Sequence, residues 1–119
     1  MKRLIILSVT MALLLVAQLL WAGGDRGCTS TGLLSDNAAI VTSGGYALCS
    51  VLVITDGTNA ATAIVYDNAV GAGGTVLFKG VVPGSASFGG GDAGSPISIT
   101  NGIYFTISGT GANAIVYYR

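Results

Sequence analysis

Residues 46–68 read YALCSVLVITDGTNAATAIVYDN and carry the clearest structural signal in the chain. Two runs rich in β-branched and apolar residues flank the turn residues Asp-Gly-Thr-Asn, a pattern typical of a β-hairpin. In the first run both alternating sets are largely apolar, the even-numbered residues from Tyr46 to Ile54 and the odd-numbered residues from Ala47 to Thr55. This strand is therefore predicted to be central, or to be covered on one face by a partner molecule.

The end of this stretch recurs at the C-terminus, where residues 108–119 read SGTGANAIVYYR. Both copies contain Gly-Thr followed by Ala-Ile-Val-Tyr, at residues 63–66 and 114–117. We expect each copy to be a hairpin whose returning strand lies in a similar core environment. Two similar halves packed face to face would explain the repeat, and so would chance similarity between β-rich sequences. Two copies with dissimilar sequence between them do not make a solenoid.

The remaining chain continues the β pattern. Residues 38–43, 75–82, 97–100 and 103–109 predict short strands, and Asn-Gly at residues 101–102 predicts a second hairpin. Residues 85–96, SASFGGGDAGSP, predict a glycine-rich loop with at most a short strand near Phe88. Seven or eight short strands at this spacing predict an all-β fold, an antiparallel β-sandwich that is jelly-roll-like or a small barrel. The β-sandwich domain is assigned to residues 38–119, after a polar connecting segment over residues 25–37.

Residues 1–24 have the layout of a secretory signal peptide. Lys2 and Arg3 precede an apolar run, and small residues follow it, so cleavage is predicted near Asp25, with Gly23 as the alternative start. The other interpretation is a retained hydrophobic helix that anchors the chain in a membrane through residues 4–22. Both interpretations place the domain on the far side of the membrane, exported to the periplasm, the cell surface or the extracellular space.

Two cysteines, Cys28 and Cys49, lie 21 positions apart. In an exported domain they predict one disulfide, which would contribute roughly 3 kcal/mol; two free thiols are the alternative. Residues 25–119 carry three positive and five negative charges, a net charge of −2. The chain shows no basic patch, so nucleic-acid binding is not expected.

The chain contains no His and no Glu, which removes the residues that most catalytic and metal sites use. Acid–base chemistry would rest on aspartates alone, and turn aspartates usually cap backbone groups. We therefore expect no enzyme activity and no cofactor. Asp56, Asn59, Asp67 and Asn68 are weak calcium candidates, because their oxygen ligands fall in turns that could meet at one end of the fold.

The aromatic side chains are the candidates for an assembly interface or a sugar-stacking platform. Tyrosines at the rim of the core with hydroxyls in water are the simpler interpretation. Neighbours in a strand such as Tyr117 and Tyr118 should point to opposite faces. The interface candidates are Tyr46, Tyr66, Phe88, Tyr104, Tyr117 and Tyr118.

The scarcity of charge is the strongest pointer to function. Only 8% of residues are charged, and none lies between Gly102 and Tyr118, so the strand edges are poorly protected against pairing. This predicts a structural subunit that self-assembles as a homo-oligomer, filament or surface array. The strands at residues 46–55 and 113–119 are the expected contacts, and residues 27–37 could lend a strand to a neighbour. The alternative is a secreted module that binds a glycan or another ligand through its tyrosines and turn aspartates.

Several segments resemble small β-sandwich proteins of tailed phages, prophages and environmental viral genomes, mostly uncharacterised proteins regarded as virion or decoration components. These segments are VLVITDGTN, AIVYDN, GTVLFKGVVPG, FGGG and NGIYFTISGTGANAIVYYR. The resemblance covers residues 43–119 and is most specific at TDGTN, VYDN and the closing NGIY, GTGA and VYY. It implies a non-enzymatic structural role, with no catalytic residues and no cofactor. The leader departs from this pattern and favours a cell-surface or filament relative.

Overall fold

The computed structural model describes residues 27–119, without the side chains of residues 92–94. The predicted signal peptide or membrane anchor over residues 1–24 lies outside the described residues. Eight β-strands follow one another along the described chain, and residues 27–119 contain no helix. They are β1 (Thr29–Ser30), β2 (Ala38–Val41), β3 (Tyr46–Ile54), β4 (Ala61–Asp67), β5 (Thr75–Val82), β6 (Phe88–Ile99), β7 (Ile103–Ser108) and β8 (Asn113–Tyr118).

The strands form two four-stranded sheets, and every strand pairing in them is antiparallel. Sheet A has the order β1-β8-β3-β6, and sheet B has the order β2-β7-β4-β5. One hydrophobic core draws its buried side chains from both sheets, with Val53 and Val116 in sheet A and Val65 and Phe105 in sheet B. The arrangement is sandwich-like, and the prediction of an all-β antiparallel fold is confirmed.

The predicted hairpins at Asp56 and Asn101 are wrong. The connections β3–β4, β6–β7 and β7–β8 each leave one sheet and enter the other. Turn residues mark where the chain reverses, but they do not decide which strand the next one pairs with, because pairing is settled by packing of the whole core. Among the described strands, the sequential pair that shares a sheet is β4 and β5, joined by residues 68–74.

The repeated Ala-Ile-Val-Tyr segments occupy matching positions in the two sheets. The first lies in β4, which pairs with β7, and the second lies in β8, which pairs with β3. Val65 stands opposite Phe105 in sheet B, and its counterpart Val116 stands opposite Val51 in sheet A. Both valines are completely buried, as are the alanines two positions before them. The expectation that the two copies share a core environment is confirmed, although neither copy is a hairpin.

A β-bulge in β3 changes which residues face the core. The register of β3 against both β6 and β8 shifts between Leu48 and Ser50. Leu48 is buried before the bulge, whereas Val51 and Val53 are buried after it. An extra residue reverses the parity of every later side chain, so the strict alternation assumed from the sequence is wrong across Cys49.

The glycine-rich stretch is a strand, which corrects the prediction of a loop. Residues 89–91 belong to β6 and pair with residues 51–53 of β3. A Cβ at Gly89 would lie 2.8 Å from a methyl carbon of Val82, and a Cβ at Gly91 would lie 2.6 Å from the Phe78 ring. Glycine is needed here because β5 of the facing sheet packs its side chains directly onto the backbone of β6.

Replacing Gly91 by alanine is expected to lower the free energy of unfolding by about 1–3 kcal/mol, because the new methyl group overlaps the Phe78 ring. The ring has little freedom to move, since a Cβ at Gly80 on its other side would be 2.7 Å away. Chemical denaturation measures the change. Gly71→Ala is the matched control, with open space around the new methyl group, and should be neutral or slightly stabilising. Equal stabilities of the two variants would contradict the packing argument.

Candidate functional site

The Asp56 carboxylate organises the connection between β3 and β4. One oxygen accepts hydrogen bonds from the backbone N–H groups of Thr58 and Asn59, at 2.8 and 2.7 Å, and the other accepts one from the Asn59 side-chain amide, at 2.7 Å. The Asn59 backbone N–H, then its side-chain amide and the Thr58 N–H, lower the pKa of Asp56 from its usual value. Asp56 is therefore a turn-capping residue whose oxygens already have donors.

Asp67 performs a similar role over a longer range. It ends β4, and its carboxylate accepts hydrogen bonds from the backbone N–H groups of Thr100, Asn101 and Gly102, the shortest being 2.7 Å from Asn101. The Asn101 N–H is the main cause of the lowered pKa of Asp67, and partial burial opposes it. This carboxylate fastens the β6–β7 connection to the end of β4.

The predicted calcium ligands do not form one site. Asp56 precedes β4 and Asp67 ends it, so a strand of roughly 20 Å separates the two carboxylates. Asn68 lies beside Asp67, but its side chain donates to the Gly73 carbonyl and accepts from the Val70 N–H. Within residues 27–119, no three His, Cys, Asp or Glu side chains lie close enough to hold a metal ion.

Replacing Asp67 by asparagine is expected to reduce the loss of stability in acid. Because the folded-state pKa of Asp67 is lowered, its contribution is present above the unfolded value and disappears as the pH falls through the folded value. Wild-type stability should therefore fall below about pH 4, and the variant should be weaker at neutral pH with a flatter acid limb. Urea midpoints from neutral to acid pH measure this. Asp36→Asn, at an exposed position, is the control; a wild-type-like acid limb in Asp67→Asn would disprove the assignment.

The structure distributes the aromatic candidates over several places. Tyr118 packs against the core and meets Tyr46 edge to face, with ring centroids 6.1 Å apart. Tyr117 lies on the opposite face of β8, as adjacent strand residues should. Tyr66 and Tyr104 stand directly opposite each other on β4 and β7. Their chain neighbours Val65 and Phe105 point into the core, so this tyrosine pair is on the outer face of sheet B.

The segment predicted to donate a strand is held by its own chain. Cys28 and Cys49 form the predicted disulfide, with Cα atoms 6.6 Å apart. β1 pairs with the end of β8, and Leu34 exchanges two backbone hydrogen bonds with Ala114, at 2.7 and 2.8 Å. The predicted disulfide is confirmed, and residues 29–34 complete one edge of sheet A.

An exposed apolar feature that the sequence did not single out lies where the free edges of the two sheets meet. β5 ends sheet B and β6 ends sheet A, and a cavity of about 360 Å³ lies between them. Val81 on the β5 side is 63% exposed, and Phe88 on the β6 side is 69% exposed. We call this cavity and its two rims the seam; besides the two rim residues, it is lined by Val53, Phe78, Lys79, Gly80, Val82, Pro83, Ala86, Gly89 and Gly90.

Sequence reasoning selected Phe88 but missed Val81, because two consecutive valines at the end of β5 do not reveal which one faces the core. Val82 is buried and Val81 is not. The free edge of β5 and the exposed side of Val81 follow from the sheet order. The seam is thus assembled from two segments that no local pattern connects.

Comparison with protein-family models, with curated proteins and with solved structures finds no match to this chain. Over residues 27–119, the structure contains no helix of the length and apolarity needed to cross a membrane.

Proposed function

We propose that this chain is a non-enzymatic structural protein, an exported subunit that self-assembles into a surface layer, a filament or a virion-type array. The observation that carries the proposal is the position of the exposed apolar side chains at the free edges of the two sheets. Val76 and Val81 lie on β5 and Phe88 lies on β6, both of which end their sheets. Leu33 is 63% exposed beside β1, at the opposite edge of sheet A.

Uncharged edges of this kind favour association. Free strand edges of monomeric proteins usually carry Lys, Pro or inward-pointing charges that prevent pairing with another chain. Here β7 and β8 contain no charged residue, and β5 contains only Lys79. The resemblance of residues 43–119 to phage β-sandwich proteins supports a jelly-roll-like sandwich used as a building block. The lack of His and Glu supports a role without catalysis.

Sedimentation velocity over a wide concentration range, combined with negative-stain microscopy and intact mass, tests this function. We expect particles larger than a monomer, growing with concentration, and a mass two protons below that of a reduced chain that starts near Asp25. A monodisperse monomer at high concentration would overturn the structural proposal. A full-length mass in the membrane fraction would replace secretion by an anchored domain on the same side of the membrane.

The Tyr66–Tyr104 pair favours a second candidate function, a carbohydrate-binding module. Two tyrosines opposite each other on an outer sheet face offer ring surfaces on which a sugar can stack. Binding to a glycan array that is lost in Tyr104→Ala, while Tyr46→Ala still binds, would support this function. Absence of binding to any glycan would leave assembly as the proposed function.

A further inference from the structure

The seam has the form of a docking surface with an uncovered aromatic side chain on its rim. Its floor is apolar, with Val53 from β3 and Val82 from β5, and its β6 wall is backbone because Gly89 and Gly90 have no side chains. The Phe88 ring stands beside this cavity with 69% of its surface exposed. A hydrophobic ring and an open apolar cavity on one surface can fit each other when two copies of that surface meet.

The edge of β6 next to the seam lacks the usual protection against strand pairing. Residues 88–91 pair with β3 on one side, and the sheet order places no further strand on the other side among the described residues. These residues include no charge and no proline, whereas Asp92 and Pro96 come later in the strand. A flat uncharged edge is a template for another extended chain.

The charge and symmetry of the seam favour a second copy as the occupant. Lys79 is its one charged lining residue within the described chain, so two copies in contact oppose at most one like charge from each. A strand that meets its own copy about a two-fold axis runs antiparallel to it, which is the pairing already used throughout both sheets. The requirements of an isologous contact are met without any segment from another protein.

The dimensions of the seam set the expected strength. β5 has eight residues and the facing sheet lies roughly 10 Å away, so the side of the sandwich offers on the order of 300 Å² of projected area. This is below the roughly 800 Å² per partner of a standard interface, so the contact should be reversible and concentration-dependent.

We propose that a second copy of this chain docks at the seam, with β6 of one copy antiparallel to β6 of the other and each Phe88 ring covering the other copy's seam. This inference rests on the proposed self-assembling function and names the contact through which assembly begins. Docking also brings the two Lys79 side chains onto one interface. Added salt should therefore strengthen the association by screening them.

Phe88→Lys and Val81→Lys test the interface from its two rims, and Val70→Lys is the matched control. Val70 is 83% exposed in the β4–β5 loop, so it receives the same charge change at a surface site outside the seam. The full chain as isolated is compared by sedimentation velocity across concentration, and circular dichroism checks that each variant is folded. We expect at least about 30-fold weaker association for both rim variants and no change for the control.

Hydrogen exchange of the wild-type protein gives an independent readout that needs no variant. The amides of residues 88–91 should become more protected as the concentration rises. Wild-type association that both rim variants retain, or exchange that is independent of concentration at β6 in an associating protein, would overturn this interface while leaving self-assembly in place. A wild-type protein that is monomeric at every concentration would overturn both.

Discussion

Replacing Phe105 by alanine is expected to lower the free energy of unfolding by about 3–5 kcal/mol. Phe105 is completely buried and is among the largest side chains of the shared core. It lies in β7 at the centre of sheet B, where it stands opposite Val65, and its ring fills space between the two sheets. Removing the ring leaves a cavity that β-strands fixed by their ladders on both sides cannot close.

Urea denaturation of Phe105→Ala and Tyr104→Ala measures this effect on neighbouring residues of one strand. Tyr104 points to the outer face of sheet B, so its truncation should cost about 1 kcal/mol. A loss of several kcal/mol is a large part of the stability of a domain of this size, and partial unfolding of Phe105→Ala at room temperature would agree with the prediction. Similar losses for the two variants would show that the inner and outer faces of β7 are assigned wrongly.

Replacing both cysteines by alanine is expected to lower the free energy of unfolding by about 3 kcal/mol. The disulfide closes a loop of 21 residues, and its loss restores conformational freedom to the unfolded chain. The segment that it ties down has few other attachments, because β1 has two exposed residues. Residues 29–34 should therefore detach from β8 before the rest of the domain unfolds.

Hydrogen exchange separates the local effect from the global one. The Ala114 N–H donates to the Leu34 carbonyl and the Val116 N–H donates to the Thr31 hydroxyl, so both amides should lose protection in Cys28→Ala/Cys49→Ala. Amides of β4, which have no contact with this segment, serve as the control. Wild-type protein treated with a dithiol reductant should behave in the same way. An unchanged urea midpoint would mean that the disulfide contributes nothing to stability.

The accuracy of the sequence predictions depends on whether a feature is local. The cysteine pair and the β pattern are local or compositional features, and both predictions are confirmed. The capping role of Asp56 also follows from its own turn, because its partners are two and three residues away. Asp67 bonds to residues 33 to 35 positions later, and no local pattern predicts that contact.

The amino-acid sequence by itself determined the all-β class, the disulfide pair and the shared core environment of the repeated segments, because these depend on side-chain type and alternation along one strand. Tertiary structure alone decided that three turns cross between sheets, that the bulge at Cys49 reverses the faces of β3, and that a glycine run forms a strand at the seam. Those features depend on how closely two sheets approach and which strands become neighbours. Packing of the whole core sets both, and residues far apart in the chain supply the atoms that meet.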